Sequence, residues 1–514
     1  MSEGEKEHGI QFPQDANGRR SSIATGKQIL AAAVEPIDSA VAAELLAETK
    51  WRDHYPHHIY NQVLLGLKTP ENGLEIARNG LNALYDQFEF VRPEGKFSLR
   101  EALSTSVGTP LHTATIVGAG HAPPERLTIP YQGEQLVGQQ LLAQLGQWEE
   151  QGIVEPSHAN AIRRVKANRE WLNLSDQTFV LLGAGAEMGP LLSLLRYQAN
   201  VVAVDIADTA VWKRLINLAY RSNGRFHFPL RVAQTENMSD ADLAQLAGCD
   251  LLSEMPQIAA WLMGFAGPLT VGSYAYMDGT KHVRVALAMD AIIDHLLANR
   301  ADIALAYLLT PTDVYAIPHD AAEIAQERYA EWKTARAWSN PKIWQEPLHY
   351  LSGGRFFTPN VADMITAADG NVYGITDCLV TQQGPNYALA KRLQQWRALA
   401  ARASGTVVSA NVAPATITHS VIKNQALAAA YAGASRFEIE IFHPETSNAL
   451  MAALLIHDLR NPEAASNPAV KLAHPYNLFM QGAAHNGLWR TGFRARSVLE
   501  IAAVLGWRHA QKST

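Results

Sequence analysis

The sequence predicts an α/β protein built on a doubly wound parallel sheet, with a helical region before the sheet and a long insertion within it. From residue 178 onward, short apolar runs such as FVLL and IALAYLLT alternate with stretches of helical periodicity. Runs that are apolar throughout are typical of parallel strands whose two faces are both covered by helices. The 514 residues are 47% apolar and 18% charged, so we expect a large buried core.

The part of the chain before the sheet is predicted to be mainly helical. Apolar residues recur at helical spacing in three stretches, 39–48, 134–149 and 157–171. Between them, residues 107–132 are interrupted by Gly and Pro and are predicted to form a loop. The first two dozen residues are polar, and we expect disorder there. The predicted organisation is therefore a disordered tail over 1–24 and a helical domain over 25–175.

An insertion divides the predicted sheet into a first part over 176–312 and a second part over 381–514. The predicted elements are strands at 228–233, 249–252, 303–310 and 406–413, and long helices near 280–298 and 385–403. The insertion, 313–380, is too long for a simple connection and carries Trp332, Trp338 and Trp344. Because long insertions in compact domains are usually functional, we interpret it as a lid or as part of a substrate pocket.

Composition excludes several classes of protein. The formal charge is −6 and no basic stripe is present, so we expect no nucleic-acid partner. The two cysteines, Cys249 and Cys378, lie far apart, which argues against a disulfide framework. No spacing typical of metal ligands occurs, and we expect no metal. The N-terminus has no apolar stretch of the kind a secretion signal needs, and no run is apolar enough to span a bilayer. A cytoplasmic location is the expectation.

A glycine-rich turn gives the clearest indication of a ligand. Gly183, Gly185 and Gly189 follow the run FVLL and precede the helical stretch LLSLLRY. Glycine permits the tight turn and lets the backbone approach a pyrophosphate, which the following helix N-terminus also attracts. Asp205 ends the next apolar run, where its carboxylate can accept hydrogen bonds from both adenosine ribose hydroxyls and would repel a 2′-phosphate. These residues predict a Rossmann-type sheet that binds NAD, with NADP as the less favoured cofactor.

A second motif lies on the predicted helix near 385–403. Tyr387 and Lys391 are four residues apart, so on a helix they share one face. A nearby ammonium lowers the pKa of a phenol because it favours the phenolate. This spacing predicts that Tyr387 is a general acid or base for an alcohol/carbonyl couple, with Lys391 holding the cofactor ribose and tuning the phenol.

The order of these motifs resembles that of the short-chain dehydrogenase/reductase superfamily. In that family a glycine-rich turn is followed by a strand that ends in a catalytic Ser or Thr, by a Tyr-x-x-x-Lys helix, and by a strand with a Pro/Thr exit. The resemblance implies that Thr310 or Thr312, after IALAYLLT, orients the substrate oxygen. It also implies that Pro414 and Thr416 or Thr418 lie beside the nicotinamide. The expected enzyme is an NAD(P)-dependent oxidoreductase, and the family tendency is toward homo-oligomers.

The resemblance covers about residues 178–460, and the chain departs from the family pattern at three places. Its glycines fit neither family spacing fully, since Leu191 or Ala186 stands where a glycine is expected. The family's usual position for the catalytic Ser, about a dozen residues before the Tyr, holds Thr376 and Thr381. Ser253-Glu254-Met255-Pro256 stands where the family has Asn-Asn-Ala-Gly. The expected member is therefore a divergent one.

Two alternatives remain open from the residues. The first is an S-adenosylmethionine-dependent methyltransferase on a similar sheet, although Leu181 and Leu182 precede Gly183 where such enzymes usually have an acid. The second is a Rossmann-like binding protein without turnover. For the oxidoreductase, the substrate is a carbonyl or alcohol. The aromatic insertion and the apolar stretch 441–455 indicate that it is largely apolar.

Overall fold

The computed structural model describes residues 8–105, 108–120, 126–334, 345–380 and 382–510. The strands are β1 (Gly9–Gln11), β2 (Glu89–Arg92), β3 (Gly95–Ser98), β4 (His112–Val117), β5 (Ile129–Tyr131), β6 (Glu134–Leu136), β7 (Thr178–Leu182), β8 (Asn200–Val204), β9 (Arg225–Leu230), β10 (Leu269–Ser273), β11 (Ile303–Leu309), β12 (Val314–Pro318), β13 (Met364–Thr366), β14 (Val372–Asp377) and β15 (Val407–Val412). The helices are α1 (Ser22–Val34), α2 (Ser39–Ala47), α3 (Trp51–Lys68), α4 (Pro70–Gln87), α5 (Leu99–Ser104), α6 (Gly138–Glu150), α7 (Pro156–Ala167), α8 (Leu191–Arg196), α9 (Thr209–Tyr220), α10 (Asp240–Leu246), α11 (Met255–Met263), α12 (Thr280–Asn299), α13 (His319–Thr334), α14 (Gln345–Leu351), α15 (Gly384–Ala403), α16 (His419–Lys423), α17 (Gln425–Gly433), α18 (Pro444–Arg460), α19 (Asn477–Met480) and α20 (Ala495–Ala510).

A mostly parallel sheet forms the centre of the fold, as predicted. Within the described residues it has seven strands in the order β15-β11-β10-β7-β8-β9-β4, and only β4, at one edge, is antiparallel to its neighbour. From β7 the chain adds β8 and β9 on one side, and then β10, β11 and β15 on the other. The direction of winding therefore reverses between β7 and β10. In open α/β sheets, ligands bind at the carboxyl ends of the strands beside such a reversal.

Both faces of the sheet are buried, which is why its strands read as continuous apolar runs. Along β7, Val180 and Leu182 belong to the core formed with α12, α15 and the N-terminal helices. Phe179 and Leu181 belong to the opposite core, formed with α6, α7, α9 and α18. Each residue of the run thus meets helices on its own side, as parallel sheets require.

The predicted disorder over 1–24 is wrong for residues 8–24. β1 pairs with β2 in antiparallel register, and the Ile10 side chain is fully buried. The Ile10 N–H donates to the Leu252 carbonyl at 3.0 Å, and Ser21 caps α1. The partners of this segment lie far along the chain, so local composition could not reveal them. Residues 1–7 lie outside the described residues.

The stretch 107–132, predicted as a loop, contains two strands, β4 and β5, among its described residues. β4 extends the central sheet beside β9, with Ala114 and Ile116 facing the core, and β5 pairs with β6 as a hairpin. Of the described Gly and Pro residues in this stretch, Pro130 lies within β5 and the others lie outside the strands. The helical domain expected over 25–175 therefore also supplies an edge strand of the sheet.

The strand expected at 249–252 is also wrong, because the strand beside β7 is β10. Residues 249–252 form a loop in which Cys249 is buried and its N–H donates to the Asp205 carbonyl at 2.9 Å. β10 was missed because Gly and Pro flank it and Gly272 interrupts its apolar run. That glycine is needed, since a Cβ there would lie 2.2 Å from the Tyr274 ring.

The insertion over 313–380 folds onto the rest of the molecule. β12, β14 and β13 form an antiparallel sheet beside α13. Trp332 is 8% exposed and packs with Phe357 and Phe493, so it fills a core rather than lining an open pocket. Trp338 and Trp344 lie outside the described residues. Among the residues described, no helix has the length and apolar character needed to cross a membrane.

Candidate active site at the carboxyl edge of the sheet

The glycine-rich turn follows β7 and is tied to the end of β8. The N–H groups of Gly183 and Ala184 donate to the Val204 carbonyl at 2.8 and 3.0 Å. Gly183 has a φ of +94°, and a Cβ there would lie 2.3 Å from the backbone nitrogen of Ala275, just after β10. A side chain at this position would therefore separate the chain segments that leave β7 and β10. The next helix, α8, begins only at Leu191 and has six residues.

Asp205 lies beside this turn, at the end of β8. Its Oδ2 accepts a hydrogen bond from the Gly185 N–H at 2.6 Å, and its Oδ1 accepts one from the Ile206 N–H at 2.8 Å. Burial raises the pKa of Asp205, and these two hydrogen bonds and Arg214 oppose the rise. Each carboxylate oxygen retains a lone pair for a further donor. The Arg214 guanidinium donates to the Gly185 carbonyl at 3.0 Å, so a cation also lies next to the turn.

Glu187, which lies within the turn, joins the turn to the segment after β15. The Gly189 N–H donates to the Ala186 carbonyl at 3.0 Å and closes the turn. The Glu187 carboxylate accepts hydrogen bonds from the His419 N–H at 2.9 Å and contacts His419 Nδ1 at 2.8 Å. The exits of β7 and β15 therefore meet at one edge of the sheet.

Tyr387, Lys391 and Thr310 converge, although they come from different elements. Tyr387 and Lys391 lie on the first turns of α15, with the Lys391 Nζ 5.5 Å from the centroid of the phenol ring. The side chain of Thr310, the residue after β11, lies close enough to the Tyr387 hydroxyl to oppose the rise in its pKa. α15 connects β11 to β15 across one face of the sheet, which places the pair at the carboxyl edge.

Thr312 belongs to the same cluster of hydroxyls as Thr310. The two threonine hydroxyls are 2.9 Å apart, and the Thr312 hydroxyl donates to Gln383 Oε1 at 2.9 Å. Both threonines are buried. Of the two residues that the resemblance offered for orienting a substrate oxygen, Thr310 is the one in contact with the phenol.

The electrostatics of the pair follow from burial. Burial raises the pKa of Tyr387, and the nearby Thr310 hydroxyl opposes the rise. Burial lowers the pKa of Lys391 to about 8, and the negative charge of Asp313 opposes that shift. The Lys391 ammonium donates to Gln394 Oε1 at 3.2 Å, and no carboxylate lies within ion-pair distance among the described residues. Asp313 is instead paired with Arg392 at 2.5 Å.

Two site residues were missed by sequence reasoning because β10 was assigned to the wrong segment. Tyr276 follows β10, and His282 lies on the first turn of α12. The His282 ring stacks on the Tyr387 ring at 5.4 Å and 19°, and the Tyr276 ring lies 4.7 Å from that imidazole. The run LTV, which Gly272 separates from SYAYMDGTKH, was the available indication of the strand, but no spacing marks His282.

The predicted nicotinamide contacts lie at the same edge but have other partners. The Thr416 hydroxyl donates to the Pro414 carbonyl at 2.8 Å and lies 2.6 Å from the Ser447 hydroxyl. The Thr418 hydroxyl is paired with Ser420 at 2.9 Å. The structure thus brings Pro414 and Thr416 to the carboxyl edge, with the threonine hydroxyl already engaged.

No family of known proteins has a sequence model that matches this chain, and no curated protein is similar to it in sequence. Within the described residues, no group of three or more His, Cys, Asp or Glu side chains could hold a metal ion.

Proposed function

We propose that the protein is an NAD(P)-dependent oxidoreductase of the short-chain dehydrogenase/reductase type that interconverts a carbonyl and an alcohol on a Rossmann-type sheet. The observation that carries the proposal is the convergence of Tyr387, Lys391 and Thr310 at the carboxyl edge. The same edge holds the turn at Gly183 and the carboxylate of Asp205. A chance Tyr-x-x-x-Lys on a helix surface would have no reason to meet the end of a neighbouring strand there.

The residues present fit a dinucleotide. Gly183 and Gly185 let the turn pack closely against Ala275 and Asp205, and the Asp205 carboxylate has lone pairs for the ribose hydroxyls. The cofactor, when bound, supplies the hydride. Asp205 favours NAD, whereas Arg214 offers a cation to a 2′-phosphate, so NADP is the less favoured alternative.

Tyr387, Lys391 and Thr310 have separate roles in the reaction at the substrate oxygen. In the direction of reduction, the Tyr387 hydroxyl gives its proton to the carbonyl oxygen, and the Lys391 ammonium stabilises the resulting phenolate. Thr310 lies beside the phenol and opposes the rise in its pKa. The Thr310–Thr312–Gln383 chain of hydrogen bonds holds the Thr310 hydroxyl in place.

Tyr387→Phe tests the proposal because it keeps the ring and removes the transferable proton. We expect turnover of NADH with a panel of aliphatic and aromatic aldehydes and ketones to fall by about two to four orders of magnitude. The NADH dissociation constant should change little. Tyr220→Phe, at an exposed tyrosine whose hydroxyl binds Asp240, is the matched control and should retain full activity. Equal turnover in Tyr387→Phe and in the wild type would exclude this mechanism.

Ligand-dependent melting separates the oxidoreductase from the other two classes. A ligand that binds only the native state raises the melting temperature. We expect a rise with NADH or NADPH and none with S-adenosylmethionine. A rise with S-adenosylmethionine alone would favour a methyltransferase, and no rise with any of them would favour a protein without these cofactors.

A further inference from the structure

His282 has a buried ring nitrogen without a partner. Its side chain is 2% exposed, and its Nε2 makes no hydrogen bond to any of the residues that the structure describes. Its other nitrogen, Nδ1, accepts a hydrogen bond from the Met277 N–H at 3.4 Å. In the neutral ring the proton therefore resides on Nε2, which makes that atom a donor. Buried donors are nearly always satisfied, so an unsatisfied one points to a missing partner.

The surroundings of His282 place this donor beside the phenol. The imidazole stacks on Tyr387 and contacts Tyr276, and the charge of Lys391 lies close enough to act on it. Burial, with a smaller effect of Lys391, lowers the pKa of His282 to about 3. The ring is thus neutral over the ordinary pH range, and it can donate a hydrogen bond without competing with Tyr387 as an acid.

We propose that the Nε2–H of His282 donates a hydrogen bond to the reacting oxygen of the bound carbonyl or alcohol. This inference rests on the proposed function. A carbonyl oxygen has two lone pairs, and Tyr387 can occupy only one of them. Thr310 is a poor second donor because its hydroxyl proton is directed at the Thr312 hydroxyl, whose own proton is donated to Gln383. His282 is the neighbouring group with an unused donor, and it therefore polarises the carbonyl from the second side.

Three variants separate this role from support of the loop. His282→Gln places an amide N–H near the position of Nε2, whereas His282→Asn places its amide oxygen near Nδ1 and so keeps only the acceptor for Met277. His282→Phe keeps the stacked ring and has neither group. With NADH and the carbonyl panel, we expect His282→Gln to stay within about tenfold of wild-type kcat. The Asn and Phe variants should lose about 100-fold, the usual effect of removing one such donor. The NADH dissociation constant should be unchanged in all three.

Each outcome decides for or against the role of His282. Activity retained in His282→Asn but lost in His282→Gln would show that the imidazole only supports the Met277 loop, and would overturn the proposal. So would full activity in all three variants. If His282→Phe does not fold, the Gln and Asn pair still decides, because both carry the same amide at different reach. Loss of activity in Tyr387→Phe but not in His282→Asn would overturn this inference alone, whereas a wild type that turns over no member of the panel would overturn the proposed function as well.

Discussion

Lys391 differs from an ordinary surface lysine because no carboxylate among the described residues neutralises it. Asp313, the acid whose charge opposes the lowering of the Lys391 pKa, is already paired with Arg392. Burial therefore acts on the ammonium almost unopposed and lowers its pKa to about 8. The residue needed as a cation in the proposed mechanism thus loses its proton close to the physiological range.

The pH dependence follows from that shift. Since a base with a lowered pKa is protonated only below that value, we expect kcat/KM to fall as the pH rises through about 8. Lys391→Arg, which keeps its charge far above this range, should abolish the fall if it folds. The measurement is the pH profile of kcat/KM over about two pH units on either side of the Lys391 pKa of about 8. A wild-type profile that stays flat across the window would show that the charge of Lys391 is not required.

The limits of sequence reasoning at the residue scale are visible at Thr310. The motif order brought Tyr387, Lys391 and two threonines to attention, but it could not choose between the threonines, because the choice depends on how the chain turns after β11. His282 could not be found at all, since its significance comes from a missing hydrogen bond and not from a spacing.

At the scale of elements, α15 is fixed to the sheet by the buried carboxylate of Asp313. Asp313 follows β11 and is fully buried, and it binds Arg392 at 2.5 Å and Gln395 at 2.9 Å, both on α15. Arg392 also donates to the Val314 carbonyl at 3.0 Å. These contacts set the rotation of the helix that carries Tyr387, and so they determine where the phenol lies.

Asp313→Ala should therefore be strongly destabilising, because it leaves Arg392 buried without its partner. We expect a loss of about 3–5 kcal/mol in the free energy of unfolding, measured by chemical denaturation. Glu500→Ala is the matched control, since its pair with Arg355 is exposed and should contribute about 0–1 kcal/mol. Equal effects of the two substitutions would show that Asp313 does not fix α15.

The elements that the sequence revealed are those whose partners lie next to them in the chain. Four strands were predicted correctly because each is an apolar run next to a stretch of helical periodicity: β7, β8, β11 and β15. β1 and β4 depend on pairing with strands far along the chain, and their own residues carry too few apolar positions to be recognised. β10 was hidden by Gly272, whose place is set by the Tyr274 ring and not by strand propensity.

At the scale of the whole molecule, the candidate site exists because the winding of the sheet reverses between β7 and β10. Parallel strands all end at one edge, so four segments that are distant in sequence meet there. The segments after β7 and β10 approach each other at Gly183 and Ala275, and Glu187 and His419 join the segments after β7 and β15. Thr310, after β11, lies beside Tyr387 on α15. Motif order alone could suggest this meeting, but only the strand order places the segments side by side.

Hydrogen exchange tests whether these segments act as one binding site. With NADH at about 100 times its dissociation constant, amides that exchange only from the unbound form should exchange about 100-fold more slowly. We expect the slowing in the segments after β7, β8, β10 and β15, that is, residues 183–190, 205–209, 274–279 and 414–420. Residues 498–505 of α20 serve as the internal control, because they pack on α17 and contain none of the residues placed in the site. Slowing confined to one of the four segments, or spread evenly to α20, would mean that the dinucleotide does not lie across this edge of the sheet.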